Sequence, residues 1–199
     1  MHNAFGSDTE TLAPHRRRHV APFITARLQP TPAGSRGVSI WCMTQPVVAE
    51  QSRAIPVSVE NAFRGTLPIP LPALFCRRYG PIPPIKAVRN QTGEWDSVGQ
   101  TRTVVLSGGG TMREELTHID APHSFDYILS DITGPMSPLV SRIDGEWRFA
   151  PAGTGTRVTW RWAIQPKSRL AAPALPVFGR LWQGYARQAL EVLSDELLA

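Results

Sequence analysis

Val158-Thr-Trp160-Arg-Trp162-Ala-Ile164 places a large apolar side chain at every second position, with Arg157, Thr159 and Arg161 on the alternate ones. Alternation of this kind marks a strand with one face buried and the other in water. Two tryptophans on the buried face are more bulk than a thin sheet needs. On a curved sheet crossed by a helix, bulky aromatics build either a large core or an internal pocket. A suitable helix follows. Over Pro176 to Leu198, residues Phe178, Leu181, Trp182, Tyr185, Ala189 and Val192 recur at three- and four-residue spacing and form one apolar stripe. Arg180, Gln183, Arg187, Gln188 and Glu191 fall elsewhere on that helix.

Upstream, the pattern continues as hairpins. Ser141 to Ala150 and Gly155 to Ile164 flank Pro151-Ala-Gly-Thr154, and Gln100 to Leu106 and Thr111 to Ile119 flank Ser107-Gly-Gly-Gly110. Ser124 to Asp131 follows Ala121-Pro122, and Ile85 to Gln91 follows Pro81-Ile-Pro-Pro84. Strands joined by short Gly-rich turns are antiparallel neighbours. Earlier still, Arg53 to Val57 reads as a short strand. Ser58 then caps a short helix, Val59 to Arg64, that Gly65 ends. Leu67-Pro-Ile-Pro-Leu-Pro72 excludes helix, because alternate prolines remove donors and fix φ. Pro72 suits the start of a second short helix, Ala73 to Tyr79, with Gly80 as its stop. The order is strand, two short helices, about six strands and a long helix.

The chain has 199 residues, enough for one domain with a real core. Its 42% hydrophobic and 19% charged content fits a soluble globular protein, and its 19 prolines favour loops over long helices. No apolar run approaches the ~18 residues that a membrane span needs. The formal charge of +5 is uneven: residues 1–42 carry five arginines against Asp8 and Glu10, a net +3. The remaining 16 basic and 14 acidic residues leave +2, with no basic stripe. The expected folded part therefore has no nucleic-acid partner and no stable membrane insertion.

Residues 1–42 show no sustained period and cannot offset their ordering entropy by burial. The expected organisation is a disordered N-terminal extension over 1–50, with Met43 as a natural start, ahead of one domain at 51–199. A signal peptide is not supported, because Pro22 and Arg27 interrupt the apolar stretch after Arg16-Arg-Arg18. A twin-arginine signal is the weaker alternative to disorder. Cys42 and Cys76 form no C-x-x-C and read as free thiols of a reducing cytoplasm, the expected location.

Gly99-Gln-Thr-Arg-Thr-Val-Val-Leu-Ser-Gly-Gly-Gly110, Glu114-Glu-Leu-Thr-His-Ile-Asp-Ala-Pro122, Phe125-Asp-Tyr127 and Gly153-Thr-Gly-Thr-Arg-Val-Thr-Trp160, in this element order, resemble the START-like (SRPBCC) superfamily. The likeness covers about residues 50–198, and its nearest branch is that of bacterial polyketide cyclase/dehydrase and lipid-transport proteins. It implies an α+β helix-grip fold: a curved antiparallel seven-stranded sheet wrapped around the long C-terminal helix, with an apolar cavity between them. It does not imply one chemistry or a catalytic motif. Members bind lipids, hormones or polyketides, and some catalyse cyclisation or hydrolysis.

Several motifs reduce to structure. Ser107-Gly-Gly-Gly110 lacks the following Lys-Ser/Thr of a phosphate loop and joins two strands, so it is a hairpin turn. His118, Asp120 and His123 sit at a strand end and turn, with no cysteine or further histidine near, so a solvated turn is preferred over a metal site. No Gly-x-Ser-x-Gly exists, so nucleophilic catalysis has no support.

Glu114 is the polar residue of most interest. It shares a strand face with Met112 and Leu116. If that face lines a cavity, desolvation raises the carboxyl pKa and suits it to act as a general base or ligand anchor. Register leaves this open. A two-residue turn at Gly108-Gly109 sets Thr103 opposite Glu114 and Arg102 opposite Glu115. A bulge sets Arg102 opposite Glu114 as a neutralising partner. A third possibility puts Glu114 on the solvated face and Glu115 inside or at an edge.

Phe125, Tyr127, Trp147, Phe149, Trp160 and Trp162 keep parity within their strands, and Trp182 and Tyr185 face them from the helix. Core and cavity wall are one surface in such a fold. The candidate ligand-binding set is Arg102, Met112, Glu114, Leu116, Phe125, Tyr127, Trp147, Trp160, Trp162, Phe178, Trp182 and Tyr185. Gly134-Pro-Met-Ser-Pro138 and Leu67 to Pro72 are candidate mouth elements, and Gly184 is expected to relieve crowding of the helix against the sheet.

The first functional expectation is a binding module for a small apolar or amphipathic, lipid- or polyketide-like molecule, with no cofactor and no metal. The alternative is a cyclase, dehydratase or hydrolase on a polyketide-like substrate, with Glu114 as acid/base and Tyr127 or Arg102 stabilising an oxyanion. An inward Glu114 beside a second polar group favours the enzyme; a uniformly apolar wall favours the carrier.

Overall fold

Seven antiparallel strands form one sheet in the order β1-β7-β6-β5-β4-β3-β2. The computed structural model describes residues 45–199. The strands are β1 (Val47–Ile55), β2 (Ile85–Arg89), β3 (Thr101–Leu106), β4 (Thr111–Asp120), β5 (Ser124–Ser130), β6 (Val140–Ala152) and β7 (Gly155–Pro166). Helices α1 (Val59–Thr66) and α2 (Leu71–Leu74) follow β1, and α3 (Leu175–Leu198) closes the chain. This is the expected helix-grip arrangement, with α3 packed along β1 and β7.

The alternation read in the sequence sets the faces. Val158, Trp160, Trp162 and Ile164 are all buried, while Arg157 is exposed and Thr159 and Arg161 are only partly covered. The same period runs through β3, where Arg102, Val104 and Leu106 turn inward, and through β5, where Phe125, Tyr127 and Leu129 do. Strand ends differ from the sequence reading by one or two residues in β3 to β7, within the usual fraying of element ends.

Larger differences lie at the start of the domain. β1 begins at Val47, ahead of the boundary drawn at 51, and ends at Ile55 rather than Val57. Only Ala49 and Ile55 in it are buried. The strand is therefore specified by pairing with β7, from Val47 opposite Ile164 to Ile55 opposite Thr156, and not by its own period. The rest of the expected extension, residues 1–44 with Cys42 and Met43, lies outside the described residues.

Ser58 caps α1 as expected, its Oγ accepting from the Asn61 N–H at 3.2 Å. Gly65 does not stop the helix. It is a contact point instead, since a Cβ there would run into Leu197 of α3, and α1 continues to Thr66. The second helix is shorter than expected and starts at Leu71, inside the proline stretch read as non-helical, because Pro72 sits in the first turn where no N–H is needed. Phe75 leaves the helical region at φ −105°, ψ 44°, and its carbonyl accepts from Ile85 N at 3.0 Å, which turns the chain into β2. Gly80, at φ +53°, serves a tight turn bridged by Tyr79 and Ile82. On α3, Trp182, Tyr185, Ala186, Ala189, Leu190 and Leu193 form the buried face, while Phe178, Leu181 and Val192 are half-buried at its margin. Gly184 makes room for the Tyr79 ring and not for the sheet. Among the described residues, no helix is long and apolar enough to cross a membrane.

Candidate functional site

Between the concave face of the sheet and α3 lies a cavity partly open to solvent. Its empty space, counted out through the mouth, is ≈ 770 Å³. The wall is mostly apolar. Met112 and Phe125 come from the sheet, Trp147, Trp160 and Trp162 from β6 and β7, and Phe178, Trp182 and Tyr185 from α3. Arg102, Glu114 and Tyr127 supply the polar part of the same wall. Eleven of the twelve sequence-proposed residues therefore meet around one space. Leu116 does not. It is fully buried in the core on the same strand face but lies off the wall. Both candidate mouth segments contribute, Leu67, Ile69 and Leu71 from one and Met136 from the other.

The aromatic side chains interlock around Trp160. Its ring stacks on Trp147 with centroids 5.1 Å apart and 10° between planes, meets Phe75 at 5.1 Å, and lies 4.7 Å from Trp182. Trp162 meets Trp182 at 5.0 Å. Pairs at these separations add attraction beyond their area burial and hold each ring in place. The wall is thus preorganised. The Trp182 indole N–H is buried without an acceptor among the described residues.

Register places the ion pair. β3 and β4 set Arg102 opposite Glu114, the pairing that the sequence reading reached only through a bulge. Three residues lie between Leu106 and Gly110, whose backbone N and O are bonded at 3.1 Å. Gly109 and Gly110 have φ of +82° and +100°, so the glycine run is used for left-handed backbone. Glu114 faces in; Glu115 is 38% exposed and pairs with Arg113 at 2.8 Å. Arg102 Nε donates to Glu114 Oε2 at 2.7 Å and Nη2 donates to Oε1 at 3.1 Å. Both side chains are about 5% exposed. This bidentate geometry is the strongest available to the two groups. Neutralising one member would leave a buried charge unpaired.

Two residues of this site escaped the sequence reading. Trp95, in the loop between β2 and β3, is 2% exposed and lies flat under the Arg102 guanidinium, 3.7 Å from ring centroid to Cζ. Its φ of +63° is unusual for a bulky residue and turns the side chain inward. Gln100 holds the loop, its Oε1 accepting from Asp96 N at 2.8 Å and Ser97 N at 3.2 Å. The only sequence signal was a tryptophan in an otherwise polar turn.

The second is Gly145. Tyr127 on β5, Gly145 on β6 and Trp162 on β7 form one row across three strands. A Cβ at Gly145 would run into the Tyr127 ring, so the tyrosine lies across the bare glycine backbone. Its hydroxyl oxygen thereby reaches β7, accepting from Trp160 Nε1 and from Trp162 Nε1, each at 2.7 Å. Burial, then the Glu114 charge, pushes the Tyr127 pKa well up. Burial does the same for Tyr185. A glycine inside a strand signals close approach of another group, and that was the available clue.

The polar residues set aside in the sequence lie elsewhere. His118 stands opposite Asp126 on the outer face of the sheet, and no cluster of three His, Cys, Asp or Glu side chains occurs among the described residues. There Asp126 has one carboxylate oxygen, Oδ1, buried without a partner. Burial, then Glu146, raises its pKa.

A family model described as polyketide cyclase / dehydrase and lipid transport matches residues 46–197. Among solved structures, ginseng major latex-like protein 151 from Panax ginseng is 14% identical, with a TM-score of 0.59 over 78% of this chain and 99% of that one. TTHA0849 from Thermus thermophilus is 17% identical, with a TM-score of 0.57 over 76% and 97%. MLL2253 from Mesorhizobium loti is 17% identical, with a TM-score of 0.53 over 76% and 96%. No match was found among the curated proteins.

Proposed function

Because this chain belongs to the polyketide cyclase/dehydrase and lipid-transport family, we propose that it holds a small apolar or amphipathic molecule, lipid- or polyketide-like, between the sheet and α3. The observation that carries the reading is the wall itself: interlocked aromatic rings, with a few convergent polar groups, around an apolar space that opens at a mouth. Burying about 200 Å² of apolar ligand supplies roughly 5 kcal/mol. Lost translational and rotational freedom is of similar size. A rigid wall and a polar anchor are what make binding net favourable. The proposed location is a reducing cytoplasm, supported by the exposed free thiol of Cys76.

A second reading has one observation in its favour. Glu114 faces the cavity beside another polar group, the arrangement expected of a cyclase, dehydratase or hydrolase acting on a polyketide-like substrate. The partner, however, is a counter-ion that takes up both carboxylate oxygens. A residue so engaged serves an anchor or a structural pair better than a proton shuttle.

Titration with N-phenyl-1-naphthylamine, a neutral fluorescent probe, tests the binding reading. One saturable site is expected, with the probe's emission enhanced and tryptophan emission quenched. Absence of saturable enhancement at the probe's solubility limit overturns it.

A further inference from the structure

The Tyr127 hydroxyl has an unbalanced set of hydrogen bonds. A phenol oxygen offers two acceptor positions and one O–H donor. An indole N–H only donates, and both Trp160 and Trp162 donate to Tyr127 at 2.7 Å. The oxygen's acceptor capacity is therefore used up, and neither indole nitrogen has a lone pair to take the phenol proton. Among the described residues, no other side chain or carbonyl accepts that proton. Glu114 acts on Tyr127 through its charge and not through a hydrogen bond. The residue is 5% exposed and forms part of the cavity wall, so what the cavity holds decides the partner of this O–H.

We propose that the Tyr127 O–H is a fixed donor into the cavity and selects a ligand that carries a neutral acceptor oxygen, a carbonyl first, on an apolar frame. The inference rests on the binding function proposed above and names the ligand class. A neutral acceptor is favoured over a carboxylate because Arg102 and Glu114 already neutralise each other, so no free positive charge waits for an anion. The three-strand row explains the fixing: with Gly145 beneath the ring and two indoles filling the oxygen's acceptor positions, the hydroxyl can meet a ligand only as a donor. An apolar ligand without an acceptor would leave this donor buried and unpaired, a penalty larger than the usual net gain of one hydrogen bond. Burial raises the phenol pKa, so the donor keeps its proton at neutral pH.

The test uses 2-acetylnaphthalene and 2-isopropenylnaphthalene, which differ by C=O against C=CH2, with each displacing N-phenyl-1-naphthylamine from the wild-type protein and from Tyr127→Phe. Comparing the two probes across the two proteins cancels their difference in hydrophobicity. The ketone is expected to weaken about tenfold in Tyr127→Phe, the size of a net buried hydrogen bond, and the alkene to bind several-fold tighter there, because the donor it strands is gone. In wild type alone, the infrared stretch of the 13C-labelled carbonyl should fall below its value in hexane. That band keeps the inference testable if Tyr127→Phe does not fold. A ketone that loses no more affinity than the alkene, a bound carbonyl with its hexane frequency, or a lowered frequency that survives in folded Tyr127→Phe overturns the inference. Alkene binding without any ketone effect overturns this inference alone; failure of both probes to bind wild type overturns the binding function with it.

Discussion

Two buried polar clusters share one cavity wall, and they differ in what matches them: charge in one, hydrogen bonds alone in the other. Arg102 and Glu114 close on each other with two hydrogen bonds, and Trp95 covers the guanidinium face. The Trp160 and Trp162 indoles both donate to the Tyr127 oxygen, so that oxygen's own O–H is left over. The first cluster is matched in charge within the protein. The second is balanced only when something in the cavity accepts. Burial is alike for the two, since Arg102, Glu114 and Tyr127 are each 5% exposed. What separates the two is thus a charge matched inside the protein against a lone O–H donor left over at a fixed oxygen, not the depth at which they sit.

The largest expected effect breaks the closed cluster. Glu114→Gln leaves the Arg102 charge buried without its counter-charge and should cost about 3–5 kcal/mol in chemical denaturation. Replacing both, as Arg102→Met with Glu114→Leu, should recover most of that loss, because an apolar pair has no charge to strand. A single-variant cost below about 1 kcal/mol would mean that water screens the pair through the mouth, and the contrast between the clusters would fail.

A smaller effect is expected in the open cluster. Trp162→Phe removes one of the two donations to Tyr127 and returns an acceptor position to it. The loss should be roughly 1–2 kcal/mol, a hydrogen bond and some ring contact, read by the same denaturation experiment. A loss as large as that of Glu114→Gln would show that the row across the sheet is as self-contained as the ion pair.

The smallest effect belongs to the outer face, where Asp126 has the same kind of imbalance with the opposite sign, an acceptor lacking a donor. Its folded pKa is raised by burial above the ordinary value of about 3.9. The protonated form is favoured in the fold, so this stabilisation is full below about pH 3.9 and lost as pH rises through the folded pKa. Asp126→Asn should therefore melt slightly higher at pH 7, within about 0.5 kcal/mol, with the advantage shrinking towards pH 4. An advantage independent of pH would remove the carboxylate's charge as its cause.

The sequence made the frame legible where one residue in two, or one in three to four, meets the core. β7 and α3 follow from Val158, Trp160, Trp162, Trp182 and Tyr185 for that reason. β1 lacked such a signal because the sheet edge buries only Ala49 and Ile55 of it. The register of Glu114 stayed open because three consecutive glycines admit more than one turn; the left-handed backbone at Gly109 and Gly110 settles it. Leu116 shows that sharing a face with wall residues does not place a side chain on the wall. Trp95 and Gly145 were hidden for a common reason. Each acts through a residue distant in sequence, Arg102 for one and Tyr127 for the other, and no local period records such a partner.

The central claim is that the space among these rings is a binding site, and indole resonances report on it directly. In a 1H–15N spectrum of the protein, the side-chain N–H signals of Trp160, Trp162 and Trp182 should shift together and saturably as naphthalene is added, because all three rings line the cavity. Naphthalene at its solubility limit leaving all three signals in place would contradict the account.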